Sequence, residues 1–166
     1  MPELIIATAD DWQIIREIAY KTWPDTFGKV ISEEQIQYML AKIYCEQSLR
    51  NQMTNLGHNF ILALQNKKPV GFAAYELTSL ETSQLIIHKI YLLPECQGIG
   101  IGKFLFGQLT EIAKNNNCKQ LRLQVFHQNE KAREFYLKYG FAFAGEKITR
   151  IDDRYTVTDF IMIKDL

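Results

Sequence analysis

Cysteine is scarce in this chain: Cys45, Cys96 and Cys118 are odd in number and widely spaced. That pattern matches neither a disulfide framework nor a zinc site, so reduced thiols and no metal are expected. Neither sign of charge dominates, nineteen basic residues meeting nineteen acidic ones, whereas a dedicated nucleic-acid binder carries a basic surplus. No apolar run approaches the roughly 18 residues needed to cross a bilayer, and Met1–Ala9 does not read as a signal peptide. Internal repeats and linkers rich in proline, glycine or serine are missing, so nothing marks a domain boundary. The expectation is one cytoplasmic domain over residues 1–166, monomer or homodimer, that touches neither nucleic acid nor membrane.

What is present suffices for a core: a chain of this length buries roughly 70% of its unfolded surface. Leu4–Ala7 reads as a first strand. Thr8 or Asp10 can cap a helix bearing Trp12, Ile15, Ile18 and Ala19, which Trp23-Pro24-Asp25 is expected to break. Ser32 with Gln35 forms a capping-box pattern ahead of Ile36, Met39, Leu40 and Ile43, and another helical piece covers Glu46–Met53. Asn59–Leu64, Val70–Leu77 and Leu85–Leu92 are strands rich in β-branched and aromatic residues, the first two joined by a turn at Asn66-Lys67-Lys68-Pro69. Ile101, Phe104, Leu105, Leu109 and Ile112 keep a helical period, ending near Asn115-Asn116-Asn117. A strand at Leu121–Phe126, a helix at Asn129–Tyr139 stopped by Gly140, and strands at Phe141–Ala144 and Tyr155–Ile163 complete the chain. The centre is therefore strand, glycine turn, helix, strand, a βαβ unit with parallel strands in an α/β fold.

Gln97-Gly98-Ile99-Gly100-Ile101-Gly102-Lys103 occupies that glycine turn. Unpaired N–H groups at a helix start, with about half a positive charge from the helix dipole, favour an anion. Glycine lets a phosphate approach because no Cβ intervenes. The dinucleotide fingerprint fails, since its last glycine would fall at Lys103. The Walker loop fails too, with Gln97 and Phe104 at required positions. A flexible turn without a ligand stands as the alternative on these residues alone.

Gln97, Gly100 and Gly102 do form Q-x-x-G-x-G. With Ile90-Tyr91-Leu92-Leu93-Pro94-Glu95 ahead of it, the segment resembles the acetyl-coenzyme A loop of the GNAT N-acetyltransferase superfamily. Asn129-Glu130-Lys131-Ala132-Arg133-Glu134-Phe135-Tyr136, followed by Gly140-Phe141, resembles that family's second signature, N-x-x-A-x-x-F-Y-x-x-x-G-F. The resemblance covers Leu85–Ala144, and the early helices and late strand fit the same layout. It implies a central mixed sheet of about seven strands flanked by helices, with a splayed parallel pair holding acetyl-CoA. Backbone groups of Ile90, Tyr91 and Leu92 would pair with the pantetheine arm. Amides from Gly98, Ile99 and Gly100 through Ile101, Gly102 and Lys103 would hold the pyrophosphate, with Gln97 opening the motif. Asn129 would bond the arm, and Tyr136 would lie beside the thioester sulfur as general acid. On the residues alone, Tyr136 also reads as a core aromatic.

Amine acetylation needs a free base. An alkylamine with a pKa near 10.4 is neutral in only about one molecule in 2,500 at pH 7, a deficit of about 4–5 kcal/mol. His88, where relatives often place a glutamate, is the candidate to take that proton. A strand histidine satisfied by a neighbour, Glu76, Tyr75 or a water chain are the alternatives. Trp23, Asp25, Phe27 and Tyr38 are expected to wall an amine pocket, aromatic faces and carboxylates favouring cations. Trp23–Gly28 and Thr158–Met162 look similar to a bacterial polyamine-acetylating branch, so a small polyamine-like amine is the expected acceptor. A protein N-terminus or lysine, or a non-catalytic acyl-CoA sensor, are the other readings.

Overall fold

Alternation in the middle strands sorts the apolar residues onto two faces of one sheet. In strand β2 (Asn59–Gln65) Phe60 and Leu62 enter one core, while Ile61 and Ala63 enter the other. Strand β3 (Lys68–Leu77) repeats this with Phe72 and Ala74 against Val70 and Ala73. Burial on both sides makes these the interior strands. The computed structural model describes residues 1–166.

Seven strands form the sheet, with β1 (Glu3–Ile6), β4 (Gln84–Leu92), β5 (Gln120–Phe126), β6 (Ala142–Ile151) and β7 (Tyr155–Asp165) in the order β1-β2-β3-β4-β5-β7-β6. Helices α1 (Trp12–Phe27), α2 (Glu33–Ile43) and α3 (Glu46–Thr54) cover the face carrying Phe60 and Phe72. Helices α4 (Ile101–Asn115) and α5 (Glu130–Lys138) cover the face carrying Ile61 and Ala73. This is the mixed α/β sheet with a parallel pair that the sequence led us to expect. Local signals hold as well: Ser32 Oγ accepts from the Gln35 N–H at 3.1 Å to cap α2. Asn66 and Lys67 take the left-handed φ of 51° and 62° that a two-residue hairpin requires.

Two expectations need correction. Pro24 does not break the first helix, which continues to Phe27. A proline inside a helix costs about 3 kcal/mol through the lost bond and the ring clash. Burying Trp23 and Phe27, 5% and 8% exposed, contributes about 1.5–3 kcal/mol per side chain, enough to offset it. Strand β6 does not stop at Ala144 but runs to Ile151. It is an edge strand paired to β7 alone and mostly exposed, so no buried face imprints an alternating pattern on its sequence.

The parallel pair separates part-way along. Strands β4 and β5 stay in register only from Gln84 opposite Gln120 to Ile87 opposite Leu123. Beyond that point β4 remains with β3 as far as Leu92, and β5 remains with β7 as far as Phe126. The parting coincides with a bulge: Tyr75 faces Ile87 and Ala74 faces Lys89, leaving His88 as the extra residue of β4. A bulge bends its strand and increases the local twist, which turns β4 away from β5. Gly71 lets the far end of β4 lie close, since a Cβ there would meet the Tyr91 carbonyl oxygen at 2.8 Å and the Leu92 side chain at 2.3 Å.

Candidate active site

The gap between β4 and β5 opens into a cleft of about 740 Å³. Its walls are the open edges of the two strands, the glycine turn, α5 and the last turns of α1. Six consecutive residues of β4, Ile87 through Leu92, line it. Strand groups that would otherwise pair across the sheet instead face the cavity, which can therefore accept an extended ligand as an added strand.

At one end lies the glycine turn. None of the N–H groups from Gly98 to Lys103 donates to a protein acceptor, and the sequence places them at the start of α4. Gly98 and Gly100 have φ of 77° and 94°, and a Cβ at either would meet nothing within 4 Å. Six free donors in a short stretch of backbone, capped by a helix dipole, form a nest suited to an anion. Gln97 braces it, donating from Nε2 to the Leu92 carbonyl at 3.3 Å and accepting at Oε1 from Lys131 Nζ at 3.1 Å. Lys103 and Lys131 both line the cleft and add positive charge beside the amides.

Tyr136 enters from α5. It is 8% exposed and packs among Phe106, Phe135 and Phe141, with ring centroids 5.6–5.8 Å away. Its hydroxyl makes no hydrogen bond to protein, and the residue lines the cleft. Burial pushes that hydroxyl well above the usual phenol range, as it does Tyr91 on β4. Asn129 accepts from the Ala132 N–H at 3.3 Å and so caps the helix that carries Tyr136.

His88 lies where the strands part. Its Nε2 is 2.8 Å from Glu76 Oε2 on β3, and its ring stacks on that of His58 at 4.0 Å with planes 17° apart. Burial lowers the His88 pKa, while the hydrogen bond to Glu76 acts against that shift. His58 is pushed down to about 4, by burial first and then by its neighbours His88 and Lys89. Lys89 is also pushed down, to about 8, by burial. Its ammonium donates to Gln52 Oε1 on α3 at 2.7 Å.

Against known proteins, residues 12–141 match the Acetyltransferase (GNAT) family. The chain belongs to the GNAT acetyltransferases. It is 29% identical to a spermidine N(1)-acetyltransferase of Thermoplasma acidophilum over 159 residues, 93% of this chain and 91% of that one. The crystal structure of PaiA N-acetyltransferase from T. acidophilum in complex with coenzyme A superposes with a TM-score of 0.81 at 26% identity, covering 100% of this chain and 99% of the other. A GCN5-related N-acetyltransferase from Rhodopseudomonas palustris shares the fold, with a TM-score of 0.83 at 21% identity, covering 100% of this chain and 96% of that one. Membership carries the reaction type: this acetyltransferase draws its acetyl group from acetyl-CoA.

Most of the residues singled out in the sequence meet in this one cleft. Ile90, Tyr91, Leu92, Gln97, Gly98, Gly100, Gly102, Lys103, Asn129, Tyr136, His88, Asp25 and Phe27 all line it. Ile99 is 58% exposed and Ile101 is 2% exposed within the core, so only their backbone amides belong to the nest. Two acceptor-pocket residues lie elsewhere in the acetyltransferase. Trp23 is buried against Phe27, Tyr44 and Tyr91, behind the cleft wall. Tyr38 bonds Asp152 at the turn between β6 and β7, and its ring packs at a tilt against Tyr155, centroids 5.5 Å apart. Helical spacing is the reason, because α2 turns Tyr38 toward that hairpin rather than toward α1. Thr22, Lys89 and Lys131 line the cleft unanticipated. His58 was also missed, because it joins Glu76 on β3 and His88 on β4 from the loop ahead of β2, segments that no spacing rule links.

Proposed function

We propose that this acetyltransferase moves acetyl from acetyl-CoA to a primary amine of a small, polyamine-like molecule, by direct attack in a ternary complex. The carrying observation is the splayed cleft, with free amides at the glycine turn and Asp25 on the α1 wall. In this reading residues 1–166 act as a single cytoplasmic catalytic domain on a small-molecule amine, as monomer or homodimer.

Amides 98–103 hold the diphosphate of the acyl carrier, and the open edge of β4 at Ile90, Tyr91 and Leu92 holds its arm. An N–H along that edge stabilises the charge that develops on the thioester oxygen. Tyr136 supplies a proton to the leaving thiolate. A hydroxyl whose pKa lies well above 10 is fully protonated at neutral pH, so it is ready to act as an acid. His88 takes the amine proton: with its pKa below the usual 6.5, it is neutral at pH 7 and free to accept. Asp25 and Phe27 offer a carboxylate and an aromatic face to a cationic acceptor. The spermidine acetyltransferase of T. acidophilum supports this class of acceptor.

A panel of amines screened with acetyl-CoA, following thiol release, tests the reading. Turnover on spermidine-like amines above that on peptides is expected. Activity confined to peptide N-termini or lysines would move the acceptor class, and tight acetyl-CoA binding without turnover on any amine would make the protein a sensor.

A further inference from the structure

Glu76 lies on β3, outside both family signatures, yet its carboxylate is the one hydrogen-bond partner of His88 in the protein. Accepting at 2.8 Å from the Nε2–H leaves Nδ1 as the only lone pair on the ring. We propose that Glu76 is a positioning residue for the acetyl transfer, fixing the tautomer of His88 and compensating the charge that His88 gains when it accepts the amine proton. This rests on the reading of His88 as the base. In the step, the amine N–H breaks, its proton forms a bond to His88 Nδ1, and the Nε2 proton stays shared with Glu76. The nitrogen lone pair is thereby freed to attack the thioester carbonyl.

The surroundings favour this pairing over two competitors. His58 Nε2 is 3.9 Å from the same Glu76 oxygen, beyond hydrogen-bond reach. His58 stays uncharged at neutral pH, so the carboxylate serves His88 alone. A metal ion is the second competitor, since the three side chains bring their ligand atoms within 4.8 Å of one another. However, rings stacked 17° from parallel do not converge their in-plane lone pairs on one point. Lys89 on β4 and Lys147 on β6 add positive charge beside His88. Those cations oppose a divalent ion, and they also oppose an imidazolium, which is why a carboxylate partner is needed. Stacking on the flat face of His58 holds the ring in the plane that meets Glu76.

The charges on His88 from all sides are therefore Glu76 in favour and Lys89 and Lys147 against, with His58 neutral. Removing Glu76's charge while keeping its shape isolates its role. E76Q is expected to lower kcat about 10–100-fold, the scale seen when the carboxylate that orients a metal-bound histidine is lost, with KM for acetyl-CoA unchanged. The acidic limb of the kcat/KM profile should move to lower pH by about one unit, as loss of a neighbouring opposite charge requires. The His88 titration followed by NMR should move by the same amount; with three histidines in the chain, H88A assigns it directly. E76A, which also removes the hydrogen bond, should lower kcat further. If H88A itself keeps wild-type rate and profile, the base reading fails. If H88A is impaired while E76Q keeps wild-type kcat and limb, Glu76 has no positioning role and the inference is overturned.

Discussion

His58 gives the acetyltransferase an acid sensitivity that can be worked from the structure. Its imidazole is stacked on His88, its Nδ1 is buried without a partner, and its pKa is pushed down to about 4. Unfolding returns it to 6.5, so below that pH the unfolded chain binds a proton that the folded chain refuses. Stability is therefore complete above 6.5 and is lost as pH falls toward 4. At pH 5 the two titrations differ by about 2 kcal/mol. Solvent reaches 12% of the side chain, and screening there brings the working figure to about 1–2 kcal/mol. His58→Phe keeps a flat aromatic surface and removes the titration. Urea unfolding of both proteins at pH 8 and pH 5, followed by tryptophan fluorescence, reads the difference. The wild type should lose about 1–2 kcal/mol more than the variant between the two pH values. Carboxylates remote from position 58 titrate alike in both proteins and cancel. Equal losses would refute the burial account of His58.

Tyr136→Phe should cut turnover by ~10²–10⁴-fold with acetyl-CoA affinity nearly unchanged, because in the proposed mechanism it removes only the proton donor. An unaltered rate would remove that role. Gly100→Val should weaken coenzyme binding measured by calorimetry: a φ of 94° suits glycine, and the new side chain points into space open to the cleft. The backbone strain alone is about 1–3 kcal/mol, so a thermal melt separates misfolding from a blocked nest. Folded variant protein with normal affinity would contradict the placement of the diphosphate.

Local signals were legible wherever the physics is local. Ser32 with Gln35 marked the start of α2, and Asn66-Lys67 marked the hairpin. Glycines at positions 98, 100 and 102 marked a strand-to-helix turn with free amides, because such chemistry is set by residues adjacent in the chain. Tyr136 was readable through a signature rather than through its own environment, since an aromatic on the inner face of a helix looks the same in any core.

Order along the chain by itself determined most of the strands, the parallel pair and the glycine turn ahead of α4, because periodicity and glycine placement record which groups a segment can bury or leave free. Tertiary structure alone decided that Pro24 sits within a helix, that Tyr38 turns to the β6–β7 hairpin, and that His58, Glu76 and His88 converge. Each of those depends on which distant surface a side chain meets across the sheet. The energies of such contacts belong to pairs of residues far apart in sequence, and no single segment carries them.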